Sequence, residues 1–146
     1  EEKTYSIETT SLPNADPPQP SIGVGIIPYQ RDYQFPIDVT IDAGDIGGPS
    51  AGSMFALGIY NQLTETDITK GYKIAGTGTI DLEKNIGRVD GVQQKVISAR
   101  EEGARFFFMA PENEADIEAV EGIEIVPVEK FTDILNYLRD LEPAQS

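Results

Sequence analysis

The sequence predicts an α+β fold with α/β character, mixed sheets packed with helices, and three stretches carry that prediction. Phe106-Phe107-Phe108-Met109 is a short unbroken apolar run, the pattern of a strand covered on both faces. Phe131, Ile134, Leu135 and Leu138 fall at i, i+3, i+4 and i+7, one face of an amphipathic helix. Ser50 to Leu63 is apolar on most sides through Ala51, Met54, Phe55, Leu57, Ile59, Tyr60 and Leu63, which predicts a buried helix.

The other elements follow in chain order. Residues 1–20 read as an N-terminal arm or linker. Tyr5 to Thr9 alternates weakly, like a strand, and Pro13, Pro17, Pro18 and Pro20 then favour an extended segment with little helix or ladder pairing. The body is expected over residues 21–146. Ile22 to Ile27 is an apolar, glycine-punctuated strand candidate, and Ile37, Val39 and Ile41 alternate with Asp38, Thr40 and Asp42 as in a half-buried strand. Ala43 to Pro49 reads as a glycine-rich loop. Tyr72 to Ile80 is strand-like but broken by Gly76 and Gly78, and Leu82 to Arg88 carries a turn around Lys84-Asn85. Val92, Val96 and Ala99 share a helical face, so Gly91 to Glu102 reads as a second helix ended by Gly103. Glu112 to Val120 reads as a short acidic helix and Ile123 to Val126 as a strand. No internal repeat is present.

Composition narrows the chemistry. The 146 residues suit one domain, large enough to fold without a disulfide or a metal. There is no cysteine, hence no thiol nucleophile and no thiolate metal site. There is no histidine either, so a Ser-His-Asp triad within the chain is impossible, as is zinc held by imidazole. A catalytic base must be Lys, Asp, Glu, Tyr or a terminus. The net charge of −14, from 25 acidic and 11 basic residues, argues against nucleic acid and anionic membrane surfaces as partners and favours solubility. No apolar run approaches the ~20 residues that span a bilayer. The start, Glu1-Glu2-Lys3-Thr4, is neither a signal peptide nor a Met start, and the chain is expected to be a fragment of a longer protein.

The stretch Asp45-Ile46-Gly47-Gly48-Pro49-Ser50-Ala51-Gly52 places a serine after a Gly-Gly-Pro turn, at the head of a helix and among small residues. Small neighbours admit a substrate backbone, and a helix N-terminus suits a developing oxyanion. The plainer alternative is that Ser50 only caps the helix. A phosphate cradle is disfavoured because no Gly-Lys-Ser/Thr follows the glycines. A nucleophilic serine needs a base, and without histidine the known substitute is a lysine held partly buried, so that its neutral form is available. Of Lys3, Lys70, Lys73, Lys84, Lys95 and Lys130, Lys95 borders the apolar face of its helix between Val92 and Ala99. The competing reading is a surface lysine whose stem alone is buried.

Three ordered segments decide between these alternatives. Gly47-Gly48-Pro49-Ser50-Ala51-Gly52, Gly76-Thr77-Gly78-Thr79-Ile80 and Gly87-Arg88-Val89-Asp90-Gly91-Val92-Gln93-Gln94-Lys95 closely resemble the proteolytic domain of Lon peptidases, in the same order and at similar spacing. Glu102-Gly103-Ala104, the hydrophobic strand after it and Pro111-Glu112-Asn113-Glu114 also resemble that family. The likeness runs from about Ile37 to Val120 and extends plausibly to the end. It implies the Lon proteolytic fold (ribosomal protein S5 domain 2-like), with Ser50 as nucleophile, Lys95 as general base and Thr77 orienting the lysine. Gly48, Pro49 and Ala51 are implied as supporting residues of the nucleophile turn. The family usually carries an acidic residue three before the serine, where this chain has Gly47. Asp45 either compensates or is a solvated turn residue.

The resemblance is greatest to ATPase-lacking bacterial Lon-like proteins with an upstream PDZ module and a membrane anchor, because no P-loop occurs in the chain. It implies a polypeptide substrate, no cofactor and no metal, and a parent protein anchored in the membrane with this domain outside the cytoplasm. A hexameric ring is expected from the family, and Tyr5–Thr9 becomes the candidate last strand of the PDZ module. The expected activity is serine endopeptidase through a Ser-Lys dyad. The alternatives are an idle Lon-like binding or scaffold domain, motivated by Gly47 and the missing ATPase, and a small-molecule kinase on a related fold, disfavoured because the loop lacks Lys and Arg.

Overall fold

The computed structural model describes residues 10–11, 20–21, 39–40 and 48–144. The expected strands at Tyr5–Thr9 and Ile22–Ile27 lie outside these residues, as do Asp45 and most of the alternating stretch around Val39. The chain divides into two compact units, Glu1–Asp38 and Val39–Ser146. In the first, β1 (Thr10–Ser11) pairs antiparallel with β2 (Pro20–Ser21). The prolines were expected to suppress ladder pairing here. The observed ladder corrects that, since it is only two residues long on each side and the other three prolines fall between its strands.

The second unit is built on a three-stranded parallel sheet. Its strands are β3 (Ile74–Gly76), β6 (Phe106–Met109) and β7 (Glu124–Pro127), in the order β3-β6-β7. Ile74 lies opposite Phe106, and Phe106 opposite Glu124. A small antiparallel pair, β4 (Thr79–Ile80) with β5 (Ile86–Gly87), leaves the end of β3, and Asp81 fastens the turn between them by accepting the Glu83 and Asn85 N–H groups. The break between β3 and β4 falls at Thr77-Gly78, where the sequence expects an interruption.

All four residues of β6 are buried, as a doubly covered strand requires. Side-chain alternation sends Phe106 and Phe108 to one face, with Leu57 of α1 (Gly52–Leu63) and with Phe131, Ile134 and Leu138 of α3 (Phe131–Asp140). Phe107 and Met109 go to the other face, with Val92 and Val96 of α2 (Val92–Glu101). Burying each such side chain is worth roughly 1.5–3 kcal/mol. The result is a sheet between helices, the α+β class with α/β character.

Two expected helices are corrected. Ser50 does not begin α1: Pro49–Ala51 is a 3-10 turn and α1 starts at Gly52. The Ser50 carbonyl is held by the Gly78 N–H at 2.8 Å and by the Thr77 hydroxyl at 3.0 Å, which binds this turn to the neighbouring strand break. Nor is α1 buried all round. Only Ser53 and Leu57 are, while Tyr60 is 42% and Leu63 57% exposed, because the helix packs with one side against β3 and β4. The acidic stretch from Glu112 forms a 3-10 helix, Pro111–Asp116, and Ile117 is extended. Its polar groups are spent on distant partners rather than on a helix of their own: the buried Asn113 amide bonds Val89, and the Glu118 N–H donates to Gln93 Oε1. Among the described residues no helix is long and apolar enough to cross a membrane.

Candidate active site

The site forms where the 3-10 turn, the β3–β4 break and α2 meet. Gly48 enters the turn at φ +85°, a left-handed value that suits glycine, and Pro49 occupies the first position, where a missing N–H costs nothing. Ser50 follows, then Ala51, which takes the cap position of α1. No side chain caps the helix, so the alternative role for Ser50 as an N-cap is not the one it plays.

Thr77 is the hub. It is 3% exposed, and its N–H donates to Phe108 O at 2.9 Å, prolonging the β3–β6 register by one residue. Gly78 turns the chain at φ +150°. A Cβ there would stand 2.5 Å from Ile86 Cγ2, so this turn admits only glycine. The Gly78 carbonyl accepts the Ser53 N–H at 3.1 Å, which ties the first turn of α1 to the same break.

Lys95 arrives from α2. Gly91 caps the start of the helix in the left-handed conformation at φ +69°, and Val92 and Val96 are buried, which leaves Lys95 half-buried at the rim. Its Nζ donates to Thr77 Oγ1 at 3.2 Å, and Thr77 Oγ1 donates to Ser50 O at 3.0 Å. Ser50, Thr77 and Lys95 are thus brought together by a hydrogen-bonded relay. Among the described residues no direct hydrogen bond joins the Ser50 hydroxyl to Lys95. The relay has a chemical consequence. The Thr77 proton is committed to Ser50 O, so only its lone pairs face Lys95, and a neutral amine that donates one N–H there keeps its own lone pair free.

The foot of α2 is braced by residues that sequence reasoning did not single out. Asn113 is completely buried and grips the Val89 backbone, and Asp116 receives the Arg88 guanidinium at 2.9–3.0 Å. The Arg88 hydrogen bond, helped by one from Asn113, holds the Asp116 carboxyl below its usual range. The signal in the sequence was the family-like segment Pro111-Glu112-Asn113-Glu114, which gave Asn113 no role of its own. Ser53 was also missed: it is buried and its hydroxyl has no partner among the described residues. An open cavity of about 400 Å³ lies between α1 and β3, lined by Met54, Leu57, Gly58, Asn61, Ile74 and Gly76 among others, and Ser50, Thr77 and Lys95 do not line it. The described residues contain no cluster of acidic residues able to hold a metal ion.

Comparison with known proteins meets this geometry. The profile of the Lon protease (S16) C-terminal proteolytic domain matches residues 28–139. The chain is 35% identical to the Lon protease of Mycoplasma pneumoniae over 107 residues, 68% of this chain and 13% of that protein. It is 32% identical to Lon protease 2 of Bacillus subtilis over 109 residues, 74% of this chain and 18% of that protein. With the archaeal Lon protease of Methanocaldococcus jannaschii it shares 31% over 97 residues, 66% of this chain and 15% of that protein. The chain thus matches less than a fifth of the length of each of these relatives. On the extent of the profile match and the level of these identities, the chain belongs to the family of Lon protease (S16) C-terminal proteolytic domains.

Proposed function

We propose that this chain hydrolyses peptide bonds of polypeptide substrates, with Ser50 as nucleophile and Lys95 as general base. The observation that carries the reading is the Lys95–Thr77–Ser50 relay, which gathers three segments of the chain at one point. From its neutral form, Lys95 takes the proton of the Ser50 hydroxyl as the oxygen attacks the scissile carbonyl. Backbone N–H groups about the turn hold the oxyanion. The Lys95 ammonium then gives its proton to the leaving amine, and water, deprotonated by the same amine, releases the acyl group and regenerates Ser50. Thr77 orients the lysine throughout. Gly48, Pro49 and Ala51 shape the nucleophile turn, and Asp45 is assigned to its approach.

On the motif resemblance, the activity is assigned to a Lon-like protease without an ATPase module of its own. The parent protein is read as a membrane-anchored, PDZ-containing Lon-like protease that assembles as a ring, on the strength of the motif resemblance. Residues 1–20 are its linker and residues 21–146 its proteolytic part.

The expected result is that Ser50→Ala and Lys95→Ala each abolish cleavage of an unfolded casein while leaving the circular dichroism spectrum unchanged. Undiminished turnover by purified Ser50→Ala protein sinks the scheme. The second reading, an idle scaffold, is favoured by the missing direct bond between Ser50 and Lys95. Covalent labelling separates the two, because an idle serine does not react with a fluorophosphonate.

A further inference from the structure

β6 and the segment that leaves it touch Thr77 and the residues just before α2. In β6, Phe108 O accepts the Thr77 N–H at 2.9 Å. Five residues later comes Asn113, whose side chain is fully buried and fully used. Val89 N–H donates to its Oδ1 at 3.1 Å, and its Nδ2 donates to Val89 O at 2.7 Å and to Asp116 Oδ2 at 2.7 Å. The amide thus plays the part of a neighbouring strand for a single residue. Asp116 in turn holds Arg88 through two nitrogens, at 2.9 and 3.2 Å. Residues 88 and 89 directly precede the Asp90-Gly91 turn from which α2 rises, and the Lys95 N–H closes on Gly91 O at 3.4 Å.

We propose that Asn113 is a positioning residue for the Ser50–Lys95 chemistry: its buried amide fixes the foot of α2, and with it the place of Lys95 against Thr77. The proposal rests on the peptidase reading above. The physical case is one of leverage. Lys95 lies six residues beyond the gripped Val89, in the first turn of α2 and on the helix face that also carries Val92. Packing of Val92 and Val96 limits how deep the helix sits. Sliding or rotation about its own axis is resisted by the two directional bonds at Val89 and the Arg88–Asp116 pair. A misplacement of about 1 Å in a catalytic group costs on the order of 10²-fold in rate.

The test uses the purified chain, quenched-fluorescent casein as substrate and a fluorophosphonate as probe of Ser50. Asn113→Asp keeps the shape and the acceptor for the Val89 N–H, loses the donor to Val89 O, and faces Asp116 with a like charge. Asn113→Ala removes the grip altogether. Both are expected to lower kcat and the labelling rate by about 10²-fold, with KM within about twofold. The limb of the pH–rate profile that reports the base is expected to shift in both. Should Asn113→Ala fail to fold, Asn113→Asp carries the test. Wild-type kcat in either folded variant, or a fall that only tracks lost folded protein with the pH profile unmoved, overturns the proposal. Ser50→Ala is run alongside. If it cleaves casein at the wild-type rate, the peptidase reading falls and takes this proposal with it. If Ser50→Ala is dead while the Asn113 variants are normal, only the positioning role falls.

Discussion

Replacing Thr77 by valine asks how much the relay is worth. Valine matches threonine in volume and branching, so at a position 3% exposed the change leaves no cavity and removes only the hydroxyl. Two hydrogen bonds go with it. The bond to Ser50 O joins neutral partners at 3.0 Å, and losing it costs about 0.5–1.5 kcal/mol. That carbonyl keeps the Gly78 N–H at 2.8 Å, so it is not orphaned and the full desolvation cost does not apply. The bond from Lys95, at 3.2 Å, is only part-buried and its Nζ can turn to water, so its loss is set at about 0.5–1.5 kcal/mol. The sum is about 1–3 kcal/mol, or a drop in Tm of roughly 3–10 °C for a domain of this size. On the proposed Ser50–Lys95 scheme, activity should fall further than stability, by about 10–10²-fold in kcat, because Lys95 loses the hydroxyl that orients it. Thermal melts and casein hydrolysis on the same samples, at a temperature where both proteins are folded, measure the two effects separately. A Thr77→Val protein with unchanged Tm and unchanged kcat would refute the idea that this hydroxyl organises the site.

Two further predictions rest on different parts of the fold. In Gly76→Ala the new Cβ would lie 2.7 Å from the Phe108 carbonyl oxygen and 2.8 Å from Met54 Sδ. The methionine can swing away but the strand carbonyl cannot, so about 1–3 kcal/mol of stability should be lost, with activity falling because Thr77 is the next residue; denaturant titration reads the first and casein turnover the second. The Tyr137 hydroxyl, pushed up to about 12 by burial and by its hydrogen bond to Glu124, should ionise above the ordinary tyrosine range in an absorbance titration. Its pKa in the folded chain lies above the unfolded value of 10.0, so the stabilisation is complete below about pH 10 and is lost as the pH rises through 12. Tyr137→Phe should remove that alkaline loss, and melts at pH 9 and 11 compare the two proteins.

Much of the molecule could be read along the chain. β6 and α3 were legible because burial on one or both faces imposes a period on neighbouring residues, and period is a local property. The Gly48-Pro49-Ser50 turn, Thr77 and Lys95 were legible as ordered motifs, and the fold brings them together. The absence of histidine alone narrowed the base to a short list. The failures share a cause. Ser50 was placed in a helix because its composition suits one, but its carbonyl is held by groups 27 and 28 residues away. α1 was expected to be buried because its residues are apolar, yet how much of a helix is covered depends on what packs beside it. The acidic segment was expected to be helical, and its side chains and backbone are instead spent on residues 24 and 25 positions back.

The sequence by itself determined which residues are available for chemistry and which faces must be buried. Only the tertiary structure decided that Lys95, 18 residues from Thr77, reaches it, that Thr77 passes the contact on to Ser50, and that Asn113 stands under the helix. Hydrophobic burial is non-directional and leaves its trace in composition and period, whereas hydrogen bonds need both partners placed to within a few tenths of an ångström. That placement comes from the packing of sheet and helices, which no window of neighbouring residues contains.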